Sequence, residues 1–79
     1  MMENHQVEFF IDYEYAKDCF YTGYGYKDKD DKFKGHGNAS VKFNDGSTYF
    51  GQLVHNNQEG YGIFKWATGD IYKGQFFNG

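Results

Sequence analysis

Thr48-Tyr49-Phe50-Gly51-Gln52-Leu53, then Glu59-Gly60-Tyr61-Gly62-Ile63-Phe64-Lys65-Trp66 and Thr68-Gly69-Asp70, is the stretch whose reading decides the fold. Thr68-Gly69-Asp70 is a tight-turn sequence between apolar-aromatic runs, which is the signature of a β-hairpin. A glycine inside a strand leaves a gap over the backbone. An aromatic ring on a neighbouring strand can lie across that gap. Tyr49-Phe50-Gly51 and Gly60-Tyr61-Gly62 supply both ring and gap within one hairpin.

The same elements recur on either side. Tyr-x-Gly returns as Tyr21-Thr22-Gly23 and Tyr72-Lys73-Gly74, and Gly-x-Gly as Gly35-His36-Gly37. Asn44-Asp45-Gly46 matches the Gly69 turn, with Phe43 and Trp66 each three residues before the turn glycine. Gln52 and Gln75 both follow a Tyr-x-Gly directly. A unit this small cannot hold itself folded, and stacking units side by side extends one sheet and buries the rings between them. Two alignments of the first unit are open. One sets Tyr21 with Tyr49 and Tyr72 and puts extra residues in the Lys27–Lys32 loop and in the following hairpin. The other keeps a constant 23-residue shift and sets Tyr26 with Tyr49 and Tyr72, but breaks the Gly-x-Gly pairing. The first is preferred because it preserves that pairing. Ahead of the repeats, alternation predicts a half-buried strand with Val7, Phe9, Ile11, Tyr13 and Tyr15 on one face and Phe10 as the exception. Lys17-Asp18 forms a polar break after it.

The composition agrees. The chain has 79 residues, enough for one small domain, and 23% of them are aromatic. There are 11 glycines, a single leucine and no proline or arginine, which disfavours a helical bundle and favours strands and tight turns. A net charge of −3 without arginine argues against a nucleic-acid-binding face and against polybasic attachment to anionic lipid. No apolar run approaches the roughly 20 residues that span a bilayer. Met1–Gln6 has neither a basic nor an apolar region of the kind a signal peptide needs, so a cytoplasmic protein is expected. Cys19 is the single cysteine, which excludes an internal disulfide and suits a reducing compartment. His5, His36, His55 and Cys19 are scattered, so no metal and no cofactor are expected.

With these motifs in phase, residues 20–79 resemble the MORN repeat family, whose unit runs from Tyr-x-Gly through a polar loop and Gly-x-Gly to a glycine turn. The resemblance implies an all-β fold, an elongated single antiparallel sheet of consecutive β-hairpins. Residues 1–19 are then a leading, capping strand, 20–46 a degenerate repeat, 47–69 a full repeat and 70–79 a partial one. Two departures stand out. The middle-loop glycine of the family is replaced by Asn56-Asn57, and asparagine tolerates the left-handed conformation. Gly25 stands where Leu53 and Phe76 sit in the later units, which weakens the packing of the first. The resemblance further implies a non-enzymatic scaffold or adaptor that binds other proteins in a ciliary or cytoskeletal assembly. The alternative it implies is a peripheral phospholipid-binding module.

The remaining constellations carry less chemistry. Lys27 to Lys34 opens like a calcium loop, but its Gly and Glu are misplaced, and it reads as a solvated loop tip. Gly23-Tyr24-Gly25 lacks the spacing of a phosphate-binding loop. Cys19 has no paired base, and the carboxylates alternate with apolar residues, so no catalytic residues are assigned. The aromatic rows are different. Tyr21, Phe43, Tyr49, Trp66 and Tyr72 are expected on one face of a single-layer sheet, where uncovered rings anchor protein contacts. A helix laid across that face, or a strand added at the open edge from Ile71 to Phe77, would suit it, and so would self-association.

Overall fold

The structure, a computed structural model, describes residues 6–77. The outermost parts of the capping and partial-repeat segments, together with His5, therefore lie outside the described residues. Among the described residues six strands form: β1 (Glu8–Ala16), β2 (Cys19–Lys27), β3 (Phe33–Lys42), β4 (Thr48–Val54), β5 (Asn57–Lys65) and β6 (Ile71–Phe76). They lie in chain order in one sheet, every neighbouring pair antiparallel. This is the all-β, single-layer sheet of consecutive hairpins expected from the repeats. It measures 44 × 26 × 17 Å.

The turns explain why the chain reverses where it does. Phe43 N–H donates to the Ser47 carbonyl (2.9 Å) and Gly46 N–H to the Phe43 carbonyl (3.1 Å). Trp66 N–H to Asp70 (2.8 Å) and Gly69 N–H to Trp66 (2.9 Å) repeat the pattern. Gly46 and Gly69 sit at φ +93° and +101°, a region that favours glycine. The β4–β5 connection is the two-residue turn His55-Asn56, with φ +46° and +74°. Positive φ at both positions matches the twist of the flanking strands, and Asn56 does take the left-handed conformation. Its N–H donates to the Gly35 carbonyl (2.7 Å) and its Oδ1 accepts from Gly35 N–H (3.1 Å), which fastens the turn to β3.

The core lies on one face and is built from tyrosines over glycines. Tyr49 Oη donates to the Gln52 carbonyl (2.7 Å) and Tyr72 Oη to the Gln75 carbonyl (2.9 Å). Tyr21 Oη donates likewise to the carbonyl three residues on, that of Tyr24. Tyr26 instead bonds His55 Nδ1 (2.7 Å). The chemistry therefore selects the alignment of Tyr21 with Tyr49 and Tyr72. A Cβ placed on Gly62 would lie 2.6 Å from Tyr49 Oη, and one on Gly35 would lie 2.8 Å from Tyr21 Oη. Across the sheet, Tyr13, Tyr21, Val41, Tyr49, Phe64 and Tyr72 stand successively opposite one another. Beside that row runs one of small residues: Gly23, Ala39, Gly51, Gly62 and Gly74.

Strand β1 departs from simple alternation. A bulge between Phe10 and Tyr13 puts Asp12 at φ +48°, and its N–H donates to Thr22 Oγ1 (2.9 Å). The extra residue flips the face. Phe10, expected to be the exception, joins Tyr13 and Tyr15 against Phe33, with centroids 5.0, 5.1 and 6.1 Å away. Phe9 crosses to the other face, 5.0 Å from Tyr24. The expected single row of Val7, Phe9, Ile11, Tyr13 and Tyr15 is thus broken at Asp12. Phe33 also remedies the small Gly25, since a Cβ there would meet the Phe33 ring at 2.9 Å.

Gly62→Ala and Gly74→Ala separate this packing from ordinary strand propensity. Tyr49 is fully buried and cannot yield to a Cβ at Gly62, which would also stand against Tyr49 Cε1 at 2.7 Å. Tyr72, 41% exposed, can swing away from one at Gly74. Gly62→Ala should cost about 1–3 kcal/mol, the range for overpacking, and Gly74→Ala distinctly less, read by urea denaturation. Equal costs would show that the buried ring does not set the constraint.

Candidate functional site: an aromatic groove over a glycine floor

Alternation sends the residue between Tyr and Gly to the face opposite the core. Phe50, the middle residue of Tyr49-Phe50-Gly51, is 61% exposed, and Tyr61, between Gly60 and Gly62, is 73% exposed. Phe50 stands opposite Ile63, and Ile63 opposite Lys73. Gly51, Gly62 and Gly74 lie in line beside them with their side-chain positions turned to the core face, so this row presents only main chain between the Phe50–Ile63 wall and Tyr61. The result is an open groove of about 530 Å³, with Asn38 and Lys73 contributing its polar groups. Its chemistry is that of a contact surface: aromatic and aliphatic walls, a floor of backbone, one amide and one ammonium.

The five aromatic residues singled out from sequence share the core face in separate groups. Tyr21 lies at one end, 4.7 Å from Phe33 and 6.3 Å from Tyr15. Phe43 and Trp66 flank Phe64 at 5.8 and 4.8 Å. Tyr49 and Tyr72 both meet Phe76, at 5.2 and 5.1 Å. Tyr21 and Tyr49 are buried, Phe43 is half-buried, and Trp66 and Tyr72 keep accessible ring surface. A small depression of about 130 Å³ lies between Tyr21, Phe43 and Tyr49 and does not reach Trp66 or Tyr72. Sequence reasoning does not single out Phe50, Tyr61 and Ile63, although the signal is present: each alternates with residues of the core-face rows (Tyr49 and Gly51, Gly60 and Gly62, Gly62 and Phe64) and so faces away from them.

Two polar clusters hold loops in place. His55 N–H donates to His36 Nδ1 (3.0 Å), and the two imidazoles lie 4.6 Å apart at 32°. Tyr26 closes this cluster through His55, tying the β4–β5 turn to β2 and β3. Among the described residues no group of three or more His, Cys, Asp and Glu side chains is arranged to hold a metal ion. In the charged loop Asp28 Oδ1 accepts from the N–H groups of Asp30 and Lys32, both at 2.9 Å. The Lys32 bond foremost holds the Asp28 carboxyl below the usual carboxylate range. Asp45 behaves alike in its turn, held down mainly by the Ser47 hydroxyl at 2.6 Å. Burial pushes Tyr15 and Tyr21 up to about 12; beside Tyr15 the Cys19 thiol adds to the effect.

No protein-family model matches the chain, and no curated protein sequence matches it.

The raised tyrosines give a pH dependence of stability. Above about pH 10 unfolded-chain tyrosines lose their protons, while Tyr15 and Tyr21 keep theirs until about pH 12. The native state then binds more protons than the unfolded one, so the contribution of these two tyrosines to stability is level below pH 10 and falls between about pH 10 and 12. Thermal melts followed by circular dichroism across this range should show the decline beginning near pH 10. Tyr15→Phe should make it shallower.

Proposed function

We propose that this chain is a non-enzymatic scaffold or adaptor of the MORN-repeat type, working in the cytoplasm within a ciliary or cytoskeletal assembly and binding another protein. The observation that carries the proposal is the uncovered groove of Phe50, Tyr61 and Ile63 over Gly51, Gly62 and Gly74. A single-layer sheet has no second layer to cover this face, and exposed contiguous aromatic surface marks an interaction site. The MORN-type assignment is supported by the thrice-repeated tyrosine-to-carbonyl bond and by the two equivalent glycine turns. In this reading Tyr21 and Tyr49 hold the sheet, Phe50, Tyr61 and Ile63 make the principal contact, and Trp66 and Tyr72 offer a second patch on the core face.

The test is capture from native extract by the full chain with light crosslinking, using wild type, Phe50→Ala/Tyr61→Ala and Trp66→Ala/Tyr72→Ala. Phe50 and Tyr61 are largely exposed, so removing their rings should change stability by no more than about 0.5 kcal/mol, as is usual at surface positions. A stoichiometric protein partner lost by the groove variant is the expected outcome. Capture indifferent to both pairs of substitutions would overturn the contact surface. Sedimentation with anionic vesicles that weakens as salt rises, with no protein captured, would replace the scaffold by the phospholipid-binding alternative.

A further inference from the structure

The two edges of the sheet are unlike. β1 carries Glu8, Asp12 and Glu14 and is interrupted by the bulge at Asp12, and acids and bulges on an edge strand discourage further pairing. β6 carries one charge, Lys73, against the three of β1, and its register against β5 runs unbroken from Ile71 to Phe76. Ile71, which opens β6, and Phe77, which follows its last residue, are 55% and 75% exposed. Within the repeat, β6 corresponds to β4, so its free edge corresponds to the edge of β4 that β5 covers. On that covered edge Tyr49 stands opposite Phe64 and Gly51 opposite Gly62.

We infer that the free edge of β6 takes the β6 of a second copy of this chain, antiparallel, with the two-fold axis at Gly74. In that register Gly74 faces Gly74 of the other copy, as Gly51 faces Gly62. Tyr72 faces Phe76, as Tyr49 faces Phe64, and each Tyr72 ring lies beside the other copy's Gly74, as Tyr49 lies over Gly62. Lys73 faces Gln75, and Ile71 faces Phe77. Every opposed pair is therefore matched in kind, apolar with apolar, polar with polar and glycine with glycine. Shifting the register by one residue would set Tyr72 against Gln75 and move each row to the wrong face. The contact is isologous, so it closes as a dimer, and the bulged, acidic β1 edges end the joined sheet on both sides. It goes beyond the proposed partner contact, because Phe50 and Tyr61 take no part in the paired strands.

Sedimentation-equilibrium mass of the purified full chain over a concentration series tests this without any other partner. The expected mass approaches twice the chain mass of 9.2 kDa as concentration rises. Ile71→Lys/Phe77→Lys sets like charges opposite one another at both ends of the contact and should weaken the dimer about tenfold or more. Ile71→Glu/Phe77→Lys sets opposite charges there and should restore it. Both pairs of substitutions lie at exposed positions, and an unchanged thermal melt of the dilute variants checks that the fold is kept. A mass that stays monomeric throughout, an association indifferent to the like-charge variant, or open-ended growth beyond the dimer would each overturn the inference. Loss of extract capture by Phe50→Ala/Tyr61→Ala with the dimer intact would separate this contact from the partner surface.

Discussion

A tyrosine ring laid over a glycine, its hydroxyl bonded to a main-chain carbonyl three residues on, is the interaction on which this sheet depends. A single layer of strands has no opposing sheet to exclude water from its rings. The ring must therefore be covered by its own sheet, and only a position without a Cβ lets it come so close to the backbone. The hydroxyl would be costly to bury unpaired, and its bond to the carbonyl removes that cost while fixing the ring's direction. Tyr49 meets all these conditions and is fully buried, although the molecule is one sheet thick.

The repeated bond also shows how much each unit draws on its neighbours. Tyr21, Tyr49 and Tyr72 make the same hydrogen bond, yet the first two are buried and Tyr72 remains 41% exposed. The difference is the flanking strand: β2 and β4 have neighbours on both sides and β6 has one. Stability in such an array is a sum of unit and interface terms, and the outermost unit lacks one interface. At the other end the degenerate unit is completed differently. Phe33, next to the charged loop, meets Tyr21 edge to face and gathers Phe10, Tyr13 and Tyr15 around it, filling the room that Gly25 leaves.

The architecture was legible in the sequence because it rests on local signals. Tyr-x-Gly, Gly-x-Gly and two glycine turns repeat in phase, and each acts within a hairpin. The bulge at Asp12 was not legible, because it depends on Thr22 Oγ1 in the next strand receiving the freed N–H, and alternation alone offered a cleaner but wrong face for Phe9 and Phe10. Tyr26 was a credible rival to Tyr21 for the same reason: both are tyrosines near glycines, and only the partner of each hydroxyl tells them apart. The shared face of Tyr21, Phe43, Tyr49, Trp66 and Tyr72 could be read from spacing. How much of each ring stays open could not, since burial depends on Phe33, Phe64 and Phe76 arriving from other strands.

The groove follows from the same constraint that builds the core. The side-chain positions of Gly51, Gly62 and Gly74 belong to the tyrosine face, so by strand alternation that row presents only main chain to the other face and leaves a trough behind the rings. Strand alternation then sets the intervening residues beside that trough. In the first unit they are Thr22 and His36, and in the full repeat they are Phe50 and Tyr61. The core positions are held to Tyr and Gly because a Cβ added at the glycine would come within 3 Å of the tyrosine hydroxyl, a limit that Phe50 and Tyr61, on the open face, do not share. Substitution at the intervening positions can therefore reshape the groove while the tyrosine–glycine row keeps the sheet unchanged, which puts the determinants of the fold and those of the proposed contact on the two faces of one strand.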